Sequence, residues 1–198
     1  MVDSLTETAL IVAGIDEAGR GCLCGAVIAA AVILHPGRSI VGLADSKTLT
    51  PKRREALAAE VKEKALDWAI GRAEASEIDR YNILQASLLA MQRAFEGLSV
   101  QPDAVKVDGN RIPEVSCPTD AIVGGDRLVS EISAASILAK VERDNEMKIM
   151  NSLFPGYGFS KHKGYPTKMH KQRLLAHGVT VLHRTSYRPV KDVMTDES

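Results

Sequence analysis

Apolar residues follow two rhythms along the chain. Residues 11–15 and 26–34 are nearly unbroken runs of Val, Ile and Ala on either side of a glycine-rich stretch at 19–25, which predicts two buried strands joined by a turn. Thr50-Pro51 is a helix start, with Thr as N-cap and Pro in the first turn, and Leu57, Val61 and Ala65 then recur every four residues, predicting a helix over 51–66. Residues 68–73 read as a third strand. Ile83, Leu84, Ser87, Leu88, Met91 and Phe95 trace one face of the helix that follows. Two short apolar runs, 104–107 and 121–123, each stop at turn residues and an acid: Asp108-Gly109-Asn110 and Gly124-Gly125-Asp126. Helical spacing resumes over 128–150 and breaks at Phe154-Pro155-Gly156. A short helix over 167–177 is closed by Gly178, and the polar end after Pro189 is expected to fray. Strands gathered early, with helices interleaved and then dominant, predict an α/β sandwich with a mixed sheet and a helical C-terminal lobe.

Composition narrows the class. With 45% apolar and 25% charged residues the chain reads as an ordinary globular protein, and no run approaches the ~20 apolar residues that span a bilayer. The first residues carry acids and no basic region of a secretory signal, so a cytoplasmic location is expected. Cys22, Cys24 and Cys117 make an odd count, unsuited to a disulfide framework. Cys22-Leu23-Cys24 lacks the partner pattern of a zinc site and reads as small residues filling tight space. Net charge is zero, which argues against a polyanionic partner. The distribution argues for one: Lys161, Lys163, Lys168, Lys171, Arg173, Arg184, Arg188 and Lys191 follow one another, with four histidines and no acid between them.

The acids carry the chemistry. Asp16-Glu17 closes a buried run, where adjacent carboxylates repel and resist desolvation unless a cation lies between them. On an ideal strand neighbours point to opposite faces, so both reach one metal only if the chain has begun to turn at Glu17. Asp108 and Asp126 stand at strand ends, where open α/β sheets display functional groups. Together these four acids make a hard-oxygen cage suited to Mg²⁺ or Mn²⁺, whereas singly each is an ordinary loop acid or, for Asp126, a helix cap. Gly19-Arg20-Gly21 leaves backbone groups open to close approach and offers an arginine for phosphate. Lys47, Lys140 and Tyr165 are further candidates for phosphate or sugar contact.

Gly14-Ile15-Asp16-Glu17-Ala18-Gly19-Arg20-Gly21, then Asp45-Ser46-Lys47, Val107-Asp108-Gly109-Asn110, Gly125-Asp126, the segment 132–144 (ISAASILAKVERD) and His162-Lys163-Gly164-Tyr165-Pro166-Thr167 together resemble bacterial ribonuclease HII, in order and over nearly the whole chain. The resemblance implies a ribonuclease H-like fold: a five-stranded mixed sheet flanked by helices, in a single catalytic domain over 1–198 with a basic C-terminal lobe at about 155–198. It implies Asp16, Glu17 and Asp108 as metal ligands, Asp126 as the fourth active-site carboxylate, and Mn²⁺ or Mg²⁺ as cofactor. It implies that Gly19, Arg20 and Gly21 read the ribose 2′-OH and that Tyr165 packs on the adjoining sugar. The implied partner is an RNA–DNA hybrid, or a DNA duplex with embedded ribonucleotides, cut 5′ to the ribonucleotide to leave 3′-OH and 5′-phosphate ends by a monomer that serves ribonucleotide and primer removal. Cys22 stands where such proteins carry proline and Cys24 where they carry a small aliphatic, which bears on the rigidity of the loop. Three rivals remain: another nuclease or integrase of the same fold, a non-catalytic hybrid-binding module, and a zinc or redox protein built on Cys22 and Cys24.

Overall fold

The computed structural model describes residues 10–43 and 46–196. β1 (Val12–Ala18) and β2 (Val27–Ile33) are the two apolar runs, followed by α1 (Pro51–Lys64), β3 (Asp67–Ala73), α2 (Ala75–Glu96), β4 (Ala104–Asp108) and β5 (Thr119–Ile122). The C-terminal half is helical: α3 (Gly125–Leu128), α4 (Ser130–Leu153), α5 (Phe159–His162), α6 (Lys168–His177) and α7 (Arg188–Asp196). The five strands form one sheet in the order β3-β2-β1-β4-β5. β1 pairs antiparallel with β2 and parallel with β4, so the sheet is mixed as expected.

Helices cover both faces, which explains why β2 is buried at all seven positions and reads as a continuous apolar run. Ala13, Ile15, Ala29, Ala31, Val105 and Val107 pack on α2, whereas Ala30 and Val32 pack with Leu57 and Val61 of α1 and Ile137 and Leu138 of α4. Small residues bring α4 unusually close: a Cβ on Gly14 would lie 2.1 Å from the carbonyl carbon of Glu131. This contact sets the first turns of α4 against the end of β1 that carries the acids.

Local chemistry accounts for most element ends. The Thr50 hydroxyl accepts from the Arg53 amide at 3.3 Å and Pro51 opens α1. The long helix expected from residue 128 is instead the short α3 followed by α4. α2 begins earlier than its apolar face suggested, because a capping box between Glu74 and Glu77 nucleates its first turns. Its two segments meet at Asn82, which has φ +70° and whose side chain caps the amides of Leu84 and Gln85.

The end expected to fray is helical through Asp196, because Val190 and Val193 are buried against Leu23 and Leu174. Backbone bonds tie this lobe to the segment after β1: Leu23 N donates to Gly164 O, Gly25 N to Leu182 O and Arg184 N to Leu23 O, each at 2.8 Å.

Candidate active site

Three of the four acids converge. The parallel register of β1 and β4 sets Ile15 beside Val107, so Asp16 and Asp108 follow side by side on the face that meets α4. α3 adds Asp126, and carboxylate oxygens of Asp16, Asp108 and Asp126 all lie within 4.8 Å of one another. Glu17 lies outside this set of three but next to it. β1 stays paired through Ala18, so the strand has not turned at Glu17, and the pleat places its side chain on the α2 side. There it helps line a shallow pocket with Arg20, Leu84, Leu88, Asp108 and Asn110, and accepts from Arg20 Nη1 at 3.2 Å. Its carboxyl stays beside the others all the same, in hydrogen-bonding range of the Asp16 side chain and near enough to Asp108 for their charges to repel.

Crowding of negative charge dominates the electrostatics. Asp16 is buried, and burial, then the neighbouring Glu17 and Asp108 charges, hold its carboxyl well above the usual carboxylate range despite a hydrogen bond from the Ser136 hydroxyl and another from Glu17 N at 2.7 Å. Burial likewise raises Glu17, with Arg20 opposing and Asp108 reinforcing the shift. Lys47 Nζ lies 3.7 Å from Asp126 Oδ2 and Arg127 Nε 3.9 Å from Asp126 Oδ1, but both basic side chains are mostly exposed, so solvent screens them. Carboxylate oxygens without sulfur or imidazole, crowded and buried, fit a hard divalent cation.

Sequence reasoning missed the hydroxyls behind the acids. Ser136 and Ser46 hydroxyls lie 2.9 Å apart, and Ser133 donates to the Asp126 carbonyl. Serines at positions 133 and 136 on an otherwise apolar buried helix face were the available signal. Asp45, part of the Asp45-Ser46-Lys47 motif, lies outside the described residues.

The glycines flanking Arg20 differ in role. Gly19 has φ +98°, and a Cβ there would meet Arg143 Nε at 2.3 Å, so the fold itself demands glycine. Around Gly21 a Cβ would find nothing within 4 Å, which leaves that face open to a ligand. Tyr165 is 41% exposed, and Lys140 Nζ lies 5.5 Å from its ring centre while pairing with Asp144 at 2.7 Å. The bond from Leu23 N to Gly164 O holds the tyrosine segment to the loop.

The basic run splits in two. Lys161, Lys168, Lys171, Arg173, Arg188 and Lys191 are exposed, but His162, His170, His183 and Arg184 are buried and form part of the lobe's interior. Cys24 is buried with His170 and His183, and the three offer ligand atoms within 4.8 Å of one another. Hydrogen bonding occupies these rings without an ion. Thr180 N donates to His183 Nδ1 at 3.1 Å, which leaves His183 Nε2 to donate to His170 Nε2 at 3.3 Å and His170 Nδ1 to donate to Tyr165 O at 3.0 Å. Burial pushes the Cys24 thiol up to about 12, with Arg143 and Arg184 acting in the opposite direction. The set is a neutral core cluster, and Cys22 and Cys24 fill space as expected, both free and buried.

Comparison with known proteins agrees with this fold. A structure of ribonuclease H2 from Pyrococcus horikoshii OT3 superposes with a TM-score of 0.80 at 24% identity, covering 93% of this chain and 97% of that one. RNase HII from Archaeoglobus fulgidus, solved in complex with PCNA, gives 0.71 at 25% identity over 90% of this chain and 96% of that chain. Bst-RNase HIII in complex with Mn²⁺ gives 0.76 at 17% identity, over 94% and 70%. The family model for ribonuclease HII matches residues 13–190, from the first buried strand to the last helix, and the chain belongs to the ribonuclease HII family.

Proposed function

We propose that this chain is a divalent-metal-dependent endonuclease that hydrolyses the RNA strand of RNA–DNA hybrids and cuts 5′ to ribonucleotides embedded in duplex DNA, leaving 3′-OH and 5′-phosphate ends. The observation that carries the reading is the placement of the Asp16–Asp108–Asp126 cluster next to the Gly19-Arg20-Gly21 loop, joined through the Glu17–Arg20 ion pair. Acids alone would suit any nuclease of this fold. A loop with an open glycine face beside an exposed tyrosine gives such a site a means of telling ribose from deoxyribose.

Asp16, Glu17, Asp108 and Asp126 would hold Mg²⁺ or Mn²⁺. A bound divalent ion supplies the positive charge that activates water and offsets charge on the phosphate. Ser136 orients Asp16 through its hydroxyl, and Ser133 fixes the Asp126 backbone. Lys47, within reach of Asp126, is placed to meet a phosphate, and Arg20 can exchange Glu17 for one. Gly21 admits the sugar, and Tyr165, braced by Lys140, packs beside it. The exposed lysines of the lobe extend the phosphate track.

In this reading the protein acts as a monomer, with residues 1–198 working as a single catalytic domain. Its action on nucleic acid would lie in the cytoplasm, in ribonucleotide and primer removal; no helix among the described residues is long and apolar enough to cross a membrane.

The test is a DNA duplex carrying one ribonucleotide, incubated with Mg²⁺ or Mn²⁺ and compared with its all-DNA twin. A single cut 5′ to the ribonucleotide, absent without metal and absent from the twin, is expected. Cleavage of both duplexes, or of neither, would refute the reading.

A further inference from the structure

Arg184 belongs by sequence to the basic run, yet its side chain is fully buried. Burying a guanidinium is costly unless its N–H groups are engaged. Most of these are aimed at one target. Nε and Nη2 donate to Gly25 O at 3.0 and 2.9 Å, Nη2 also to Gly19 O at 2.8 Å, and Nη1 to Arg20 O at 2.8 Å. Nη1 further donates to the Tyr187 hydroxyl at 3.1 Å, which in turn donates to Arg20 O at 2.8 Å. One side chain from the C-terminal lobe therefore gathers the carbonyls that begin and end the glycine-rich loop.

The clamp is itself anchored from α2. Asp79 Oδ2 accepts from the amide and hydroxyl of Thr185 at 2.8 and 2.7 Å, and Oδ1 from those of Ser186 at 2.9 and 2.6 Å. These bonds fix the turn that carries Arg184 and Tyr187. A loop bracketed by glycines has many backbone shapes of similar energy, and reading a sugar requires that one be held in advance. Neither Arg184 nor Asp79 is among the clustered acids or on the open face at Gly21, so neither has a direct part in the chemistry.

We propose that Arg184, anchored through Asp79, is a positioning residue that fixes the Gly19-Arg20-Gly21 backbone in the shape that accepts a ribose, so that selection of ribonucleotides depends on the C-terminal lobe. The inference rests on the ribonuclease reading above. A continuous hybrid offers many riboses and hence many registers in which a loosened loop can still engage one. A single embedded ribonucleotide offers one register. Loosening the loop therefore penalises the single-ribonucleotide substrate more.

Two variants test this. Arg184→Lys keeps the charge but reaches only part of the carbonyl set, and Asp79→Ala leaves Arg184 in place and removes its anchor at a half-buried site. For each, kcat and KM are measured on single-ribonucleotide duplex and continuous hybrid, with thermal melting and a Mn²⁺ titration alongside. Expected are wild-type Mn²⁺ affinity, a fall in kcat on the single-ribonucleotide duplex on the order of tenfold to 100-fold, and a clearly smaller fall on the hybrid. KM should move far less than kcat. Equal proportional losses on both substrates, or wild-type kcat on both, would overturn the inference while leaving the ribonuclease reading intact. Should Arg184→Lys fail to fold, Asp79→Ala decides by the same ratio. Wild-type protein that cut neither substrate would overturn the ribonuclease reading, and this inference with it.

Discussion

Replacing Asp16 by Asn should make the metal-free protein more stable while abolishing cleavage. The carboxylate oxygens of Asp16, Asp108 and Asp126 lie within 4.8 Å of one another, and two unit charges at that separation repel by about 3 kcal/mol at an effective dielectric constant of about 20. Asp16 relieves part of this by holding a proton, since burial and its neighbours raise its affinity for one. Asn keeps an acceptor for the Ser136 hydroxyl and brings an N–H₂ that can donate to Asp108. A net gain of about 1–3 kcal/mol follows, which for a chain of this size raises the melting temperature by roughly 2–10 °C in EDTA. The pH dependence has a definite sign. A folded-state pKa above the ordinary 3.8 means that the folded protein binds a proton the unfolded chain has already lost, so this group's contribution declines as pH rises. The advantage of Asp16→Asn should therefore grow from acid to neutral pH. With Mn²⁺ at about 100 times its dissociation constant the wild type should gain about 2.7 kcal/mol, and the variant much less. Thermal melts in EDTA and in Mn²⁺, across pH, with cleavage assayed alongside, settle the matter. A variant that melts below wild type in EDTA, or gains as much from Mn²⁺, would refute the charge-crowding argument.

Gly19→Ala should lower the melting temperature by several degrees, since φ +98° and the Arg143 side chain both oppose a Cβ, whereas Gly21→Ala should melt with the wild type and lose turnover on ribonucleotide substrates. Normal cleavage by Gly21→Ala would show that the open face is not where the sugar sits. The buried pair His170 and His183, each pushed down to about 4 by burial and then by a neighbouring histidine, should take up protons on unfolding between about pH 6.5 and 4. Stability should then fall with falling pH through that window by up to about 2.7 kcal/mol per pH unit and level off below it, and urea melts in an Asp16→Asn background would read this apart from the opposing carboxylate effect. Removing Lys163 and Lys171 together should flatten the dependence of log affinity on log salt by up to about 2 units without changing ribonucleotide preference, and an unchanged slope would take both lysines out of the phosphate track. Tyr165→Ala should impair cleavage at a single ribonucleotide more than Tyr165→Phe does, because the ring beside Lys140, rather than the hydroxyl, is the surface offered to the sugar. Equal activity of the two variants would refute that.

Periodicity reveals the strands and helices of this fold because both faces of its sheet are covered, so β2 has no polar position to blur the pattern. It fails where order comes from few apolar groups. The first turns of α2 rest on a Glu74–Glu77 capping box, and α7 rests on Val190 and Val193, contacts too sparse to stand out from a polar background. The acids were legible individually, but their exact arrangement was not. Pairing with β2 through Ala18, which the motif does not specify, keeps β1 pleated at residue 17, and the Glu17 carboxyl still reaches the Asp16 side chain. Lys140 lies close to Tyr165 and Lys47 close to Asp126, neighbours that their positions in the sequence do not reveal.

The basic run was the least legible feature, because one-dimensional charge does not distinguish a cation that faces water from one that has left it. Lys168, Lys171 and Lys191 are exposed and suited to a polyanion, while Arg184, a few residues away, spends its donors on backbone carbonyls of another segment. Lysine could not replace it there, since an ammonium is a compact charge that cannot fork across three carbonyls held apart by the loop. Composition treats the two as equal, but geometry gives them opposite tasks. The exposed lysines would act on any duplex and set affinity, whereas Arg184 acts on one loop and sets which sugar that loop accepts. Salt should therefore weaken the first effect and leave the second untouched. If discrimination between ribose and deoxyribose held constant from low to high salt while affinity fell, the division would stand; discrimination that decayed in step with affinity would show that the lobe contributes charge alone.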